Sequence, residues 1–204
     1  MKLSMENIGK RFQYHWIFRK IEVSIASNQV LTIKGPNGSG KSTLLKIISG
    51  FLSPSEGTVQ FKMNNRVIAD YYQHVAYAAP YVDLVNQFTL PELIRFQKKF
   101  KPFRTNIDEE TILDILGFAN IKSKIIKDFS SGMQQRVKLA LGILSASEIC
   151  ILDEPTTNLD REGFRWYEQL VTEYRGDSAM VIASNESRDF VLEDKSLNID
   201  DYKS

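Results

Sequence analysis

The sequence feature that most constrains the fold is a glycine-rich stretch directly after a short apolar run. The apolar run at 30–33 reads Val-Leu-Thr-Ile, and the stretch at 35–43 reads Gly-Pro-Asn-Gly-Ser-Gly-Lys-Ser-Thr. This stretch matches the pattern G-x-x-x-x-G-K-[ST], and residues 44–48 continue with the spacing of a helix that buries one face. A strand, a glycine-rich turn and a helix in this order predict a phosphate-binding loop, and therefore a nucleoside triphosphate as ligand. The alternative is a glycine-rich turn that caps an ordinary helix.

Each residue type in this loop has a physical role. Gly35, Gly38 and Gly40 allow positive φ angles, so that successive backbone N–H groups can turn toward phosphate oxygens. Lys41 is expected to reach the β- and γ-phosphates, and the Ser42 hydroxyl is expected to bind Mg²⁺. The residues predicted to contact the nucleotide here are Gly35, Pro36, Asn37, Gly38, Ser39, Gly40, Lys41, Ser42 and Thr43.

A second apolar run ends in two acidic residues. Residues 149–154 read Ile-Cys-Ile-Leu-Asp-Glu, which predicts a buried strand with both carboxylates at the carboxyl edge of a sheet, where α/β proteins bind ligands. Asp153 is expected to hold magnesium through water, and Glu154 to orient or deprotonate the water that attacks the γ-phosphate. An Asp-Glu pair after a strand is also a common turn, and the phosphate-binding loop upstream favours the catalytic interpretation.

Composition narrows the class of protein. A chain of 204 residues accommodates one α/β domain with a small insertion. Its 26 basic and 25 acidic residues leave a formal charge of +1, so no nucleic-acid partner is expected. The single cysteine, Cys150, lies in an apolar run, which is typical of a buried residue in a reducing cytosol. We expect no membrane span and no secretion signal, because no apolar stretch is long enough for a span.

Alternating apolar patterns predict an α/β fold with a mostly parallel core sheet and helices on its faces. Strand-like runs occur at 2–8, 21–25, 30–34, 58–62, 74–78, 148–152 and 179–184, and helical patterns at 42–52, 111–116, 133–145 and 164–174. The strand patterns stop between residues 80 and 147. We therefore predict one domain, with an ATP-binding core at 1–80 and 148–204 and an inserted helical subdomain at 81–147.

Two further motifs carry a resemblance to a known family. The sequence Phe-Ser-Ser-Gly-Met-Gln-Gln-Arg at 129–136 resembles the signature of the nucleotide-binding subunits of ATP-binding-cassette (ABC) transporters, and Thr-Asn-Leu-Asp at 157–160 resembles the loop that follows their catalytic glutamate. The likeness covers nearly the whole chain. It implies an ABC-type P-loop NTPase fold, with a mostly parallel core sheet, an antiparallel β part and an inserted α-helical subdomain, and it implies ATP and Mg²⁺ as ligands.

The resemblance also assigns roles to residues outside the phosphate-binding loop. Phe12 resembles the aromatic residue that stacks on adenine, although Tyr14 and Trp16 lie close enough to leave the register open. The signature residues, which in the family face the γ-phosphate held by a partner subunit, correspond to Ser130, Ser131, Gly132, Met133 and Gln134. Asn158 and Asp160 correspond to the loop at the dimer interface. Without the family, the Ser-Ser-Gly sequence is typical of an ordinary helix cap.

The resemblance implies an ATP hydrolase that works with other subunits. The expected partners are a second ABC ATPase chain, forming a head-to-tail homodimer around two ATP molecules, and a separate transmembrane permease. The expected location is cytoplasmic, peripheral on the inner face of the cell membrane. The segment 80–103, with Tyr81, Leu84, Phe88 and Phe96, is the candidate docking surface, although these aromatic side chains also suit the core of the helical insert.

The sequence departs from the family pattern at three positions. Pro80 stands where the family usually has a glutamine that contacts magnesium, and proline has neither a side-chain amide nor a backbone N–H. Asn185 stands where the family usually has a histidine that bonds the γ-phosphate. An amide carries no charge at neutral pH, so we expect slowed hydrolysis with Asn185 in a catalytic position. Ser131 replaces the first signature glycine, a change that we expect to be tolerated.

Two other functions remain open from the sequence. Pro80 and Asn185 favour an ATP-dependent clamp or regulator with little turnover, whereas the intact Glu154 favours hydrolysis. An ABC protein acting on ribosomes or DNA is a further alternative. It is weakened because the chain has no second cassette, no long coiled-coil insert and no basic tract.

Overall fold

The structure, a computed structural model, describes residues 1–203. The chain forms two compact units. The first contains residues 1–77, 148–154 and those from 177 onward, and the second contains residues 78–147 and 155–176.

An antiparallel sheet forms one part of the first unit. Its strands are β1 (Lys2–Phe12), β2 (His15–Ala26), β4 (Glu56–Met63) and β5 (Arg66–Val67), in the spatial order β2-β1-β4-β5. Leu3, Met5 and Ile8 of β1 are buried, and the pairing with β2 is irregular between Met5 and Ile8. Asn7, at φ 52°, lies within this irregularity and shifts the alternation of side chains, so that Ile8 also faces the core.

A five-stranded sheet forms the centre of the first unit. Its strands are β3 (Val30–Lys34), β6 (Val75–Ala78), β7 (Ile149–Asp153), β8 (Ala179–Ser184) and β9 (Lys195–Asn198), in the order β6-β7-β8-β3-β9. The pairs β7–β8, β8–β3 and β3–β9 are parallel. Every residue of β7 and β8 is buried, which explains their continuous apolar sequences.

The parallel pairing brings the ends of three strands to one edge. In register, Asp153 of β7 lies opposite Ala183 of β8, and Lys34 of β3 lies opposite Ser184. Helix α1 (Lys41–Ile48) follows β3, and its buried Leu44, Leu45, Ile47 and Ile48 join the core of the first unit. The sheet therefore positions the loop after β3 and the acids at the carboxyl end of β7 at the same edge.

The second unit is helical. It contains α2 (Leu90–Phe100), α3 (Glu109–Leu116), α4 (Ser131–Ile143) and α5 (Arg161–Tyr174). Local chemistry fixes several helix ends: Thr89 and Glu92 form a capping box at α2, and Asp108 accepts a hydrogen bond from the Thr111 N–H at α3. Between helices, Trp166 of α5 donates a hydrogen bond of 2.7 Å to the carbonyl of Ile115.

The predicted fold class is confirmed, with differences in detail. The first two strands are longer than predicted, and β9 and α2 had no strand or helix assigned in the sequence analysis. The compact units also group residues 155–176 with the helices, whereas the sequence-based division groups them with the core. Within residues 1–203, no helix combines the length and apolarity that crossing a membrane requires.

Candidate nucleotide-binding and hydrolysis site

The loop between β3 and α1 requires glycine at two of its positions. Gly35 has φ 151° and Gly40 has φ 110°, angles that residues with a side chain rarely adopt. A Cβ atom on Gly35 would lie 2.7 Å from Cγ2 of Ile199, and one on Gly40 would lie 2.5 Å from Cγ2 of Ile17. The packing of Ile17 and Ile199 therefore adds a steric reason for glycine to the conformational one.

The loop has the donors that an anion needs. Helix α1 has no side-chain cap, so the N–H groups of its first turn are available to a ligand. The Ser39 hydroxyl is buried, and among residues 1–203 it has no hydrogen-bond partner. A buried hydroxyl next to uncapped amides suits a phosphate group, which offers several acceptor oxygens.

Lys41 carries its charge into this loop. Its side chain is 5% exposed, and its Nζ donates hydrogen bonds to the carbonyls of Gly35 at 2.9 Å and Pro36 at 3.2 Å. The same Nζ lies 3.2 Å from Oε1 of Glu154. The ammonium group is thus held between the phosphate-binding loop and the end of β7.

The two acids at the carboxyl end of β7 differ in their surroundings. Asp153 is fully buried, and the Tyr77 hydroxyl donates a long hydrogen bond of 3.5 Å to its Oδ2. Glu154 is partly exposed, has φ 45°, and donates its N–H to the carbonyl of Ala183 at 2.8 Å. The Asp153 carboxylate, at the end of β7, and the Ser42 hydroxyl, in the first turn of α1, are oxygen ligands of the type that Mg²⁺ prefers, so the chemistry of these two residues fits the metal.

Asn185 lies directly after β8, where the strand leaves the sheet. It is exposed and lines a cavity of about 820 Å³ together with residues at the ends of β3 and β9. The same cavity contains an ion pair of 2.6 Å between Lys34 and Glu193. Hydrogen bonds from Lys34 and Thr32 hold the pKa of Glu193 below its ordinary value. Asn185 therefore adds a neutral amide to a wall that already holds a charged pair.

The three candidate aromatic residues for adenine stacking lie in different surroundings. Trp16 is partly buried, and its ring lies 4.3 Å from the guanidinium carbon of Arg19 and 5.5 Å from that of Arg11. Tyr14 is 92% exposed, and Phe12 is 48% exposed. The Phe12 ring also has a cation over it, since the Lys10 Nζ lies 5.1 Å from its centroid. Both rings therefore have a positive charge nearby, and Phe12 differs from Trp16 in being more exposed.

The signature residues lie in the second unit, at the amino end of α4. Ser130 is the N-cap of this helix, and its Oγ accepts a hydrogen bond from the Met133 N–H at 3.2 Å. A Cβ atom on Gly132 would lie 2.9 Å from the carbonyl oxygen of Asn158, so a glycine allows the first turn of α4 and the loop before α5 to approach closely. The Gln134 amide donates to the carbonyls of Ile126 and Phe129 instead of pointing to solvent.

Three other positions named from the sequence also lie in the second unit. Ser131, the first residue of α4, is exposed. Asp160 is the N-cap of α5, and its Oδ1 accepts a hydrogen bond from the Gly163 N–H at 2.7 Å. The carbonyl of Pro80 accepts a hydrogen bond of 2.5 Å from Lys138, a residue of α4. Burial lowers the pKa of Lys138, an effect that the nearby Asp83 opposes.

Two residues that the sequence analysis did not assign to the site contact its acids. Ser184 Oγ donates a hydrogen bond of 2.8 Å to Oε2 of Glu154, and Tyr77 contacts Asp153 as described above. Ser184 is the last residue of β8, a position at the carboxyl edge of the sheet where ligand-binding groups are common. That position is the signal by which Ser184 is identifiable in the sequence.

Comparison with known proteins places this geometry in a family. Residues 18–157, more than half of the chain, match the family model described as ABC transporter. The chain is 31% identical over 191 residues to the cytochrome c biogenesis ATP-binding export protein CcmA of Agrobacterium fabrum, covering 90% of this chain and 88% of the relative. It is 27% identical over 188 residues to the lantibiotic transport ATP-binding protein SrtF of Streptococcus pyogenes, covering 90% and 79%.

Solved structures show the same fold at lower identity. A Pyrococcus furiosus protein described as an ABC transporter ATP-binding protein superposes with a TM-score of 0.85 at 22% identity, over 100% of both chains. A metal-chelate type ABC transporter in an inward-facing conformation superposes with a TM-score of 0.75 at 20% identity, over 96% of this chain and 78% of the other. These structures share the arrangement of strands and helices described above.

Proposed function

The chain belongs to the ABC transporter family as an ATP-binding subunit, and on this premise we propose that it hydrolyses ATP to drive a separate membrane permease. The observation that carries the proposal is the contact of Lys41 with Glu154 at 3.2 Å, which joins the phosphate-binding loop to the acid after β7. The expected phosphate-binding charge and the expected water-orienting carboxylate therefore lie at one site.

Different residues of the chain have different roles in the proposed hydrolysis. The amides of the loop and of the first turn of α1 bind the phosphate oxygens, and Lys41 neutralises their charge. Glu154 holds the attacking water in line with the γ-phosphate and accepts its proton. Asn185 donates a hydrogen bond from the cavity wall, and Phe12 stacks on adenine.

Two residues of the site would hold a metal. Ser42 and Asp153 would hold Mg²⁺, which supplies positive charge to the β- and γ-phosphate oxygens when bound. Asp153 is fully buried at the end of a paired strand, and Ser42 belongs to the first turn of α1. Both residues therefore lie on rigid elements, which suits the positioning of a metal.

We further propose that two chains close head to tail on two ATP molecules. What supports a second anion site is the amino end of α4, where the N-cap Ser130 is exposed and the helix amides carry partial positive charge. In the dimer, the signature residues Ser130 to Gln134 contact the γ-phosphate held by the other chain. Asn158 and Asp160 belong to the loop that lies at the interface.

The proposed setting is the inner face of the cell membrane, where the dimer docks on a permease. The relatives are named for different tasks: lantibiotic transport, cytochrome c biogenesis export and, at 34% identity over 157 residues, zinc import in Chromohalobacter salexigens. Their diversity favours a shared ATP-driven step, and it identifies no common cargo. The docking surface that we propose lies in 80–103, where Tyr81 and Phe96 are exposed.

A comparison of the wild-type protein with Glu154→Gln tests the proposal. We expect steady-state ATP hydrolysis in the wild type and a decrease of about 100-fold or more in the variant, the usual effect of losing a general base. The variant should retain ATP and elute as a dimer on gel filtration in Mg·ATP. Glu186→Gln is the matched control, because Glu186 is half exposed and pairs with Arg188. A wild-type protein that binds ATP but does not hydrolyse it would instead support the alternative function, an ATP-dependent clamp or regulator.

A further inference from the structure

The hydroxyl of Ser184 is aimed at the carboxylate on which the proposed hydrolysis depends. Ser184 is fully buried, and its Oγ donates a hydrogen bond of 2.8 Å to Oε2 of Glu154. We infer that Ser184 is a positioning residue for Glu154, an inference that rests on the proposed function of this site. Its role is to hold one carboxylate oxygen still so that the other oxygen can orient water.

The direction of this hydrogen bond follows from a second contact. The backbone N–H of Glu186 donates to Ser184 Oγ at 3.0 Å. A hydroxyl has a single proton to donate and an ionised carboxylate has none. The Ser184 oxygen therefore accepts from the amide, and its own proton points toward Glu154. The backbone turn after β8 fixes the orientation of the hydroxyl before any ligand binds.

The two oxygens of Glu154 have different partners. Oε1 lies 3.2 Å from the Lys41 ammonium, whereas Oε2 is held by Ser184. The ammonium is at the end of a flexible side chain and is attracted by an incoming phosphate. Ser184 cannot move toward the phosphate in this way, because it is the last residue of a strand that pairs with Lys34 of β3. When Lys41 turns to the phosphate, Oε1 becomes available to water while Oε2 stays anchored.

The backbone of Glu154 is held by the same strand. Its N–H donates to the carbonyl of Ala183 at 2.8 Å, and its φ of 45° is uncommon for a residue with a side chain. Two consecutive residues of β8, Ala183 and Ser184, thus fix the main chain and the carboxylate of Glu154. This arrangement limits the positions that the carboxylate can take, which is what the orientation of a water molecule requires.

Two variants of Ser184 test the inference. In Ser184→Ala the anchoring donor is lost, and kcat for ATP hydrolysis should fall about tenfold or more, the usual effect of losing a hydrogen bond to a charged group. The KM and the Kd for Mg·ATP should stay within about twofold, because Ser184 acts through Glu154. In Ser184→Thr the hydroxyl is kept, and most of the wild-type kcat should return.

A matched control separates positioning from general damage. Ser196→Ala removes the hydroxyl of an exposed serine on β9, another strand of the same sheet, and should hydrolyse ATP like the wild type. The inference is overturned if Ser184→Ala keeps the wild-type kcat, if its Kd for Mg·ATP rises in step with the loss of kcat, or if Ser184→Thr is as slow as Ser184→Ala.

The same assay distinguishes this inference from the proposed function. If the wild type hydrolyses ATP and Ser184→Ala hydrolyses it equally fast, the positioning role fails and the proposed function stands. If the wild type does not hydrolyse ATP, or if Glu154→Gln hydrolyses it as fast as the wild type, the proposed function fails and the positioning role fails with it.

Discussion

The Lys41 ammonium and the Glu154 carboxylate lie 3.2 Å apart, although they are expected to act on different parts of the substrate. Lys41 is 5% exposed, so the pair is shielded from solvent on the lysine side. We expect an incoming phosphate to compete for the ammonium, which would free one oxygen of Glu154. Under the proposed function, this ion pair would link phosphate binding at the loop to the availability of the Glu154 carboxylate.

The first prediction concerns the affinity for nucleotide. Lys41→Ala removes a charge that donates to the loop carbonyls of Gly35 and Pro36, and the Kd for Mg·ATP should rise at least about tenfold, because a hydrogen bond to a charged group contributes about 1.5–3 kcal/mol. Isothermal titration calorimetry measures this. Lys46→Ala, in the same helix, should bind as the wild type does. If Lys41→Ala binds Mg·ATP with the same Kd as the wild type, the loop after β3 is not the nucleotide-binding site.

The second prediction concerns the residue after β8. Asn185→His adds a group that can carry a proton and a charge to the cavity wall, so ATP turnover should rise several-fold, with little change in affinity for Mg·ATP. A coupled assay of phosphate release measures it. Asn198→His, in the same cavity, is the control and should leave the rate unchanged. A rate in Asn185→His at or below that of the wild type would contradict a catalytic role for position 185.

The third prediction assigns the adenine contact. Phe12→Ala should raise the Kd for ATP at least about fivefold, because stacking of a base on an aromatic ring contributes about 1–3 kcal/mol. Binding of inorganic tripolyphosphate should be unaffected, since it has no base. Tyr14→Ala is the matched control, because Tyr14 is 92% exposed. A larger rise in the Kd for ATP in Trp16→Ala than in Phe12→Ala would indicate that Trp16, and not Phe12, stacks on adenine.

The fourth prediction separates steric from conformational demands on glycine. In Gly40→Ala the added Cβ would lie 2.5 Å from Cγ2 of Ile17 at φ 110°, whereas in Gly117→Ala nothing lies within 4 Å at φ 70°. A left-handed residue with a side chain costs about 1–2 kcal/mol, so both variants should lose stability in urea unfolding. Gly40→Ala should lose more, and it alone should lose ATP affinity. Equal losses would exclude the contact with Ile17 as a constraint.

The sequence predicted the elements that carry the site because their chemistry is local. The order of apolar run, glycine-rich loop and helix at 30–48 and the acids at 153 and 154 follow from residue types within a few positions of each other. The strand β9 was not predicted, because its sequence Lys-Ser-Leu-Asn has one buried residue and depends on pairing with β3 for its conformation. Helix α2 was missed as a separate element because its basic second half obscured the apolar face that its first half buries.

What the sequence determined by itself was the set of groups available for binding a triphosphate, since glycine, lysine and carboxylate have the same properties in any fold. What only the tertiary structure decided was which of these groups meet. Glu154 contacts Lys41 and Ser184, which are 113 and 30 positions away in the chain, because β7, β8 and β3 are parallel neighbours whose carboxyl ends share an edge. The register of strands depends on the packing of whole side-chain faces, and no short segment contains that information.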